Sequence, residues 1–338
     1  MVSPPSRSAR RFANVWSQDD FKRRTRAGRA AARYGPRVLK ALAAATLLGC
    51  VCLVVAIVVA EQALHPAARS IGPAEEAAAR RVAAESGVAL SDVPLVARDG
   101  VLLQAWSFER PGRSRGTVLL LHGLGDTRAS QLPLAHLLLE HGYRVLAPDW
   151  RAHGGSAGPL STYGVLERAD LLAWAAWARD RRPDECLFGA GASLGAAILL
   201  QAIDAEPFCA AIAEAPYATF RGAARVRVGR NFGVPPPLGP ILAVPFVEAA
   251  LAYATLRYGL AIGHANPLDA VARARVYVLV IEDGEDDRMP SGDAARLAAA
   301  NPRHVSVWHV ARARHVRTWA AEPQEYPRRV LAFLAAHQ

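Results

Sequence analysis

The residue of this sequence best placed for covalent chemistry is a serine between two glycines. Gly191-Ala192-Ser193-Leu194-Gly195 has the pattern G-x-S-x-G and lies between the apolar run ECLFGA and the helix-like run AAILLQAI. A serine on a sharp turn from strand to helix is exposed to a substrate, and the helix N-terminus directs backbone N–H groups at developing negative charge. The glycines let that turn close against both elements. We therefore expect Ser193 to be a nucleophile; a glycine-rich helix start is the plain structural alternative.

A second glycine motif follows another apolar run, TVLLL. His122-Gly123-Leu124-Gly125 places a glycine pair at the expected end of a strand, where the backbone can approach a ligand closely. We predict that the N–H of Leu124 and the N–H of Leu194 together form an oxyanion hole. We interpret His122 as a structural residue of this loop, with a catalytic base as the alternative.

Three motifs together resemble the α/β-hydrolase superfamily: residues 122–125, Asp149-Trp-Arg-Ala-His-Gly-Gly-Ser156, and residues 191–195. They occur in the family's order and at ordinary spacing, and the resemblance covers about residues 90–338. It implies an α/β fold with a mostly parallel sheet and helices on both faces. It also implies a triad in the chain order nucleophile, acid, histidine.

The resemblance implies a carboxylate after a late strand, and Asp287 is the residue that matches. It ends Gly-Glu-Asp-Asp, which is similar to the family's G-x-x-D loop. Pro290 follows one residue earlier than is common, so Asp286, and after it Asp283 and Glu285, stay open as alternatives. A cation site is another interpretation of these acids, and crowded carboxylates on a solvated loop are the simpler one.

The resemblance also implies a histidine after the last strand. His315 follows the strand-like run VSVWHV and precedes a closing helix, and this resembles the family's terminal histidine. His315 would take the proton of Ser193, and the carboxylate would orient its ring. His309 is expected in the strand core and His304 at an exposed strand start.

Apolar strands and helical segments alternate from Val93 to the end, which favours a mostly parallel sheet. We predict a hydrolase domain over 93–338, preceded by a stalk over 61–92, with a hairpin turn at Asp99-Gly100. Residues 216–266 interrupt the alternation, and we interpret them as a lid insertion. Five arginines and one acid, Glu248, in this insertion favour anionic substrates or headgroups.

The N-terminal part of the chain predicts a membrane anchor. Residues 1–40 hold 11 Lys and Arg and two acids, and residues 41–60 are an uncharged run that includes ten Leu, Ile or Val. Twenty helical residues span about 30 Å, the thickness of the bilayer hydrocarbon. The basic flank places residues 1–40 in the cytoplasm and the remainder outside it. A signal peptide cleaved after Ala60 and a lipoprotein box at Cys50 are alternatives that this long apolar run disfavours.

Composition excludes several classes of function. Of the net charge of +10, the tail carries +9, so the remaining residues have no basic excess for nucleic acid. The sequence shows no zinc spacing and no phosphate or dinucleotide loop, so we expect no metal and no cofactor. Cys186 and Cys209 are expected on neighbouring strands, as free thiols or, outside the cytoplasm, as a disulfide.

We therefore expect a single-pass membrane serine hydrolase that cleaves a lipophilic acyl ester and whose catalytic domain lies outside the cytoplasm. The Lys-poor, Arg-rich composition suggests a bacterial cell envelope, with a periplasmic domain if the source is Gram-negative. A thioesterase, an amidase and an acyltransferase are alternatives on the same machinery. A catalytically silent hydrolase-fold module that binds a lipid or a partner is the alternative of a different class.

Overall fold

The computed structural model describes residues 18–67, 69–205 and 208–338. The first 17 residues of the predicted basic tail lie outside the described residues. The chain divides into two compact units, Met1–Val55 and Ala56–Gln338. In the first unit the described residues belong to helix α1, Gln18–Leu64, whose part Val38–Leu64 is the one described helix long and apolar enough to cross a membrane.

One eight-stranded sheet organises the second unit. In chain order the strands are β1 Ala89–Val96, β2 Leu102–Glu109, β3 Thr117–Leu121, β4 Arg144–Pro148, β5 Leu187–Ala192, β6 Ala210–Glu214, β7 Tyr277–Asp283 and β8 Val305–Val310. The spatial order is β1-β2-β4-β3-β5-β6-β7-β8. Strand β2 pairs antiparallel with both β1 and β4. The remaining strands, β4, β3 and β5 to β8, run parallel. The predicted fold class, a mostly parallel α/β sheet, is confirmed.

Helices connect and cover these strands. Their bounds are α2 Pro73–Glu85, α3 Leu132–Glu140, α4 Glu167–Arg181, α5 Leu194–Ala202, α6 Phe220–Asn231, α7 Leu238–Leu242, α8 Val244–Tyr258, α9 Pro267–Val271, α10 Asp293–Ala300, α11 Thr318–Ala321 and α12 Glu325–Ala335. Short 3-10 turns lie at Arg128–Gln131 and Ile262–His264.

Strand β3 shows why helices lie on both faces of the sheet. All five of its residues are buried, as expected of a parallel strand covered on both sides. Leu119 and Leu121 pack into one apolar core, whereas Val118 and Leu120 pack into the other. Successive side chains of a strand point to opposite faces, so a continuous apolar run fills two cores.

The segment predicted as a stalk contributes to the apolar core of the second unit. Helix α2 buries Ala79 and Ala83 in the core that also holds Val118 and Leu120. Strand β1 begins at Ala89, four residues before the predicted domain start. The alternation in this segment is weak because β1 is an edge strand with most of its residues exposed or half-buried.

Cys186 and Cys209 form a disulfide with a Cα–Cα distance of 5.7 Å. Cys186 directly precedes β5 and Cys209 directly precedes β6, and these two strands are hydrogen-bonded neighbours. Both are half-buried, and of the two states that the sequence leaves open the structure has the disulfide and not the free thiols.

Candidate active site

Ser193 lies on a strained turn between β5 and α5. Its φ of 53° and ψ of −113° are unusual for a residue with a side chain. A Cβ added at Gly191 would lie 2.6 Å from Ala196 N, and one at Gly195 would lie 2.3 Å from Leu121 O. Only glycine therefore allows the turn to close on both sides of the serine. This is the role that the sequence pattern predicts for the two glycines.

The imidazole of His315 joins Ser193 to a carboxylate. Its Nε2 lies 2.9 Å from Ser193 Oγ, and its Nδ1 lies 2.7 Å from Asp286 Oδ2. The side chains of His315 and Asp286 are only 10% and 8% exposed. In the tautomer that this geometry favours, Nδ1–H donates to the carboxylate and Nε2 accepts from the serine hydroxyl.

The carboxylate that contacts His315 is Asp286 and not Asp287, which corrects the prediction made from the resemblance. Asp287 is exposed and pairs with Arg230 at 3.3 Å. Asp286 is fixed by the turn after β7, because its Oδ1 accepts hydrogen bonds from the N–H groups of Arg288 and Met289 at 2.8 and 3.2 Å. This turn directs the first of the two adjacent aspartates inward and leaves the second in solvent.

Two further carboxylates hold the segment that carries His315. Asp283 accepts a hydrogen bond from Val316 N at 2.6 Å and another from the hydroxyl of Thr318. Glu214 accepts hydrogen bonds from Thr318 N at 3.2 Å and from the Tyr326 hydroxyl at 3.1 Å. Both acids are buried, at 5% and 6% exposure. Their side chains hold the histidine segment through Val316, Thr318 and Tyr326.

Burial changes the acidity of these two carboxylates. Desolvation, with repulsion from Asp283, raises the pKa of Glu214 to about 7. Desolvation also raises the pKa of Asp283, and its hydrogen bonds with Thr318 and Val316 oppose this shift. Glu214 is thus a carboxyl group that can bind a proton near neutral pH beneath the histidine loop.

The predicted oxyanion donors border the same space as the serine. Leu124 and Leu194 line one cavity together with Ser193, and a Cβ at Gly123 would lie 3.5 Å from Ser193 Cβ. Among the described residues, the backbone N–H groups of Leu124 and Leu194 have no acceptor. Two N–H groups without protein partners beside a strained serine are suited to receive the oxygen of a substrate.

His122 has a structural role, as expected. It is fully buried, its Nδ1 lies 2.8 Å from Gly123 O, and its Nε2 accepts from Trp150 N at 3.1 Å. Burial lowers the pKa of His122 to about 4, so the ring is neutral and holds the glycine loop. His153 supports the same loop by accepting a hydrogen bond from Gly125 N at 3.1 Å.

A cavity of about 530 Å³ opens beside Ser193. This volume lies within the usual range for small-molecule sites. Its walls are largely apolar, and the helices of the 216–266 insertion supply many of them, including Phe220, Val247 and Leu251. Part of the insertion therefore forms walls of the cavity that Ser193 also lines.

The arginines of the insertion are not equivalent. Arg221 and Arg225 both pair with Glu248, at 3.2 and 2.9 Å. Arg227 and Arg230 line the cavity, as does Arg288 from the turn after β7. Arg227 and Arg288 have no carboxylate within ion-pair distance among the described residues.

One group of side chains could hold a metal ion by geometry alone. Donor atoms of Asp283, Asp286 and His315 lie within 4.8 Å of one another. All three already take part in the hydrogen bonds described above, so a cation here would have to replace them. The arrangement is explained by the serine–histidine–aspartate contacts without a metal.

Comparisons with known proteins identify the fold. A family model for the alpha/beta hydrolase fold matches residues 116–211. The esterase Pf2001 of Pyrococcus furiosus aligns with a TM-score of 0.62 and 26% identity, over 75% of this chain and 93% of that structure. This chain has the α/β-hydrolase fold. The resemblance that the three motifs indicate is confirmed, and the esterase similarity supports a hydrolase function of the esterase type.

Sequence relatives extend over a similar part of the chain. YqkD of Bacillus subtilis, an uncharacterized protein, is 27% identical over 228 residues, which are 66% of this chain and 72% of that protein. Rv2307c of Mycobacterium tuberculosis, also uncharacterized, is 28% identical over 220 residues, which are 64% of this chain and 69% of that protein. The acylaminoacyl peptidase of Pyrococcus horikoshii, with a TM-score of 0.55 and 14% identity over 73% of this chain and 41% of that structure, shows the fold alone.

Sequence reasoning missed one part of the site. Residues at the C-terminal end of α1, including Val59, Ala63 and Leu64, line the cavity beside Ser193. The apolar run predicts a membrane segment, and nothing in its composition separates residues that face lipid from residues that face a substrate cavity. Glu61, the first charged residue after the uncharged run 41–60, is the local signal that the apolar segment ends there.

Proposed function

We propose that this protein is a membrane-anchored serine esterase that cleaves acyl esters through Ser193, His315 and Asp286. The observation that carries the proposal is the pair of contacts at His315, 2.9 Å to the serine hydroxyl and 2.7 Å to the aspartate. Such a relay makes a serine nucleophilic at neutral pH because the imidazole removes the proton as the oxygen attacks.

The first half of the reaction forms an acyl-enzyme. Ser193 Oγ attacks the ester carbonyl carbon while its proton passes to His315 Nε2. The carbonyl oxygen becomes an oxyanion and accepts hydrogen bonds from the N–H groups of Leu124 and Leu194. The C–O bond to the alcohol then breaks, and the leaving oxygen takes the proton from His315.

The second half releases the acid. Water attacks the acyl carbonyl while its proton passes to His315 Nε2, and the same two N–H groups stabilise the second oxyanion. The bond to Ser193 Oγ breaks, and the serine recovers its proton from the imidazolium. Asp286 keeps the imidazole in the required tautomer and stabilises its positive charge in both halves.

Membrane anchoring rests on the apolar part of α1 and on its flanks. The segment Val38–Leu64 is long enough to span a bilayer, and the excess of basic residues precedes it. The disulfide between Cys186 and Cys209 supports a catalytic domain outside the cytoplasm, because disulfides persist in oxidising compartments.

The lining of the cavity supports an acyl substrate that is lipophilic. Its walls are mainly apolar, and Arg227 and Arg288 at the same cavity favour a substrate that also carries negative charge. A carboxylester is the substrate that the esterase similarity favours.

Hydrolysis of an ester series by the full-length protein in detergent tests this proposal. The wild type should release acid from p-nitrophenyl acyl esters, and Ser193→Ala should lose at least about a thousandfold in kcat/KM. Ser91→Ala, at an exposed position on β1, is the matched control and should keep wild-type activity. Equal rates for the wild type and Ser193→Ala would reject the proposal and favour a catalytically silent binding module.

A further inference from the structure

The last two turns of α1 form one wall of the cavity beside Ser193. Val59, Ala60, Ala63 and Leu64 all line it, together with Leu251 and Ala254 of α8 on the lid insertion. Ala60 and Leu64 are 5% and 2% exposed. The same short segment of helix therefore belongs both to the apolar run and to the packed interior of the second unit.

Several hydrogen bonds hold this helix end in place. The backbone oxygen of Leu64 accepts from Ser161 N at 2.8 Å, and that of Ala63 accepts from the Tyr163 hydroxyl at 2.9 Å. On the lid side, the hydroxyls of Tyr253 and Tyr258 donate to the carboxylate of Glu61, at 2.5 and 2.8 Å. The wall is thus fixed to the catalytic domain and to helix α8 of the lid.

The length of the apolar helix agrees with this second role. The 27 residues Val38–Leu64 extend about 40 Å, whereas the hydrocarbon layer takes about 30 Å, or about 20 residues. About seven residues are left over, and with the span at residues 41–60 the last four of them are 61–64. This end includes Ala63 and Leu64, which line the cavity, and Glu61, which accepts the hydrogen bonds of the two tyrosines.

We propose that this helix end is the specificity-determining wall of the acyl subsite, and that the substrate is a long-chain acyl ester borne by a membrane lipid. The inference rests on the proposed esterase function. An acyl chain bound along Val59 and Ala63 lies beside residues that directly follow the membrane-spanning part of the same helix. The acyl chain can therefore reach Ser193 along the apolar residues of α1 that line this part of the cavity. Cleavage after Ala60, as for a signal peptide, would remove Val59 and Ala60 together with all preceding residues and would open this wall.

Two phenylalanine substitutions on neighbouring residues test the wall. Val59→Phe fills the cavity, whereas Val58→Phe changes a residue that is 47% exposed and does not line it. With full-length protein in detergent, Val59→Phe should lower kcat/KM for a palmitoyl ester by at least about tenfold relative to an acetyl ester. Val58→Phe should leave the ratio of the two activities unchanged. An unchanged ratio in folded Val59→Phe would overturn the inference.

A smaller side chain tests the same wall in the opposite direction and covers the case in which Val59→Phe fails to fold. Val59→Ala should raise the ratio of activity on long or bulky acyl esters to activity on the acetyl ester, relative to wild type. Fluorophosphonate labelling of Ser193 is measured in parallel. Absence of labelling in the wild type would reject the esterase proposal itself, whereas full labelling with unchanged chain-length selectivity in both variants would reject only the role of the helix end.

The route from the bilayer has its own measurement. Full-length protein reconstituted in phosphatidylcholine vesicles should hydrolyse a long-chain ester that is embedded in the same vesicles faster than the same ester offered in albumin-bound form outside them. Equal rates from both sources would mean a soluble amphiphile as substrate and would contradict the membrane-borne one.

Discussion

The proposed proton relay depends on which of two adjacent aspartates faces His315. The turn after β7 gives Asp286 a hydrogen-bonded position at 2.7 Å from the imidazole, whereas Asp287 pairs with Arg230 in solvent. A one-residue difference in this turn would exchange an inward carboxylate for an exposed one. The course of the backbone in this turn thus determines which aspartate contacts His315.

Paired asparagine substitutions separate the two residues. Asp286→Asn should lower kcat by about three to four orders of magnitude, because the amide can no longer hold the imidazole in the productive tautomer. Asp287→Asn should keep kcat within about twofold of wild type, since its only described ion pair is exposed. Steady-state ester hydrolysis measures both; a large loss with Asp287→Asn and none with Asp286→Asn would restore the prediction made from the resemblance.

Ser193 and His315, which are in contact in the structure, could be singled out from the sequence because each has a strong local signal. Ser193 has glycines that the turn requires on both sides, and His315 follows the last strand in a position similar to that in the family. The acid could not be resolved, because four acidic residues lie between Asp283 and Asp287 and composition does not determine the course of a turn. The hydrogen bonds from Arg288 N and Met289 N that select Asp286 exist only in the folded chain.

At the scale of elements, strand β6 supports the loop that carries His315. Glu214, the last residue of β6, hydrogen-bonds to Thr318 and Tyr326, and its backbone oxygen accepts from Ser193 N at 2.9 Å. One residue therefore joins the serine turn to the histidine segment. Because burial raises the pKa of Glu214 to about 7, this support changes its charge near neutral pH.

The raised pKa of Glu214 predicts how stability depends on pH. The native state binds this proton more tightly than the unfolded chain, whose pKa is near 4.5, so the ionised group disfavours folding as pH rises from about 4.5 to about 7. Glu214→Gln removes this loss. The free energy of unfolding of Glu214→Gln minus that of wild type should therefore increase by up to about 3 kcal/mol as the pH rises from about 4.5 to about 8.

Urea unfolding at several pH values measures this difference. His122, with a pKa lowered to about 4, contributes stability that is lost as pH falls from about 6.5, but it is present in both proteins and cancels in the comparison. A constant difference between Glu214→Gln and wild type across this range would show that Glu214 does not titrate there.

At the scale of the whole molecule, the apolar helix α1 ends in residues that line the cavity beside Ser193. The sequence was sufficient to predict the parallel sheet, because short apolar strands such as β3 are buried on both faces, and to predict the apolar segment from its length. It did not reveal that Leu64 lies in the protein core, with Val59 and Ala63 packed against that core. Packing of Leu64 against distant parts of the chain decides this, and those contacts have no signature in the helix itself.

The proposed orientation predicts the location of the catalytic domain. Alkaline phosphatase, which is active only outside the cytoplasm, should be active when it is fused after Gln338, because the basic residues precede the apolar segment. A reporter that is active only in the cytoplasm should be silent at the same position. The reverse pattern would contradict the orientation and leave the disulfide between Cys186 and Cys209 without an oxidising compartment.

The most direct measurement of the central claim is covalent labelling of the full-length protein with a fluorophosphonate, followed by mass mapping of the modified peptide. The relay through His315 predicts one adduct, on Ser193, that is lost in Ser193→Ala and greatly slowed in His315→Ala. Folded wild-type protein that takes up no label, or that carries it on another residue, would contradict the account.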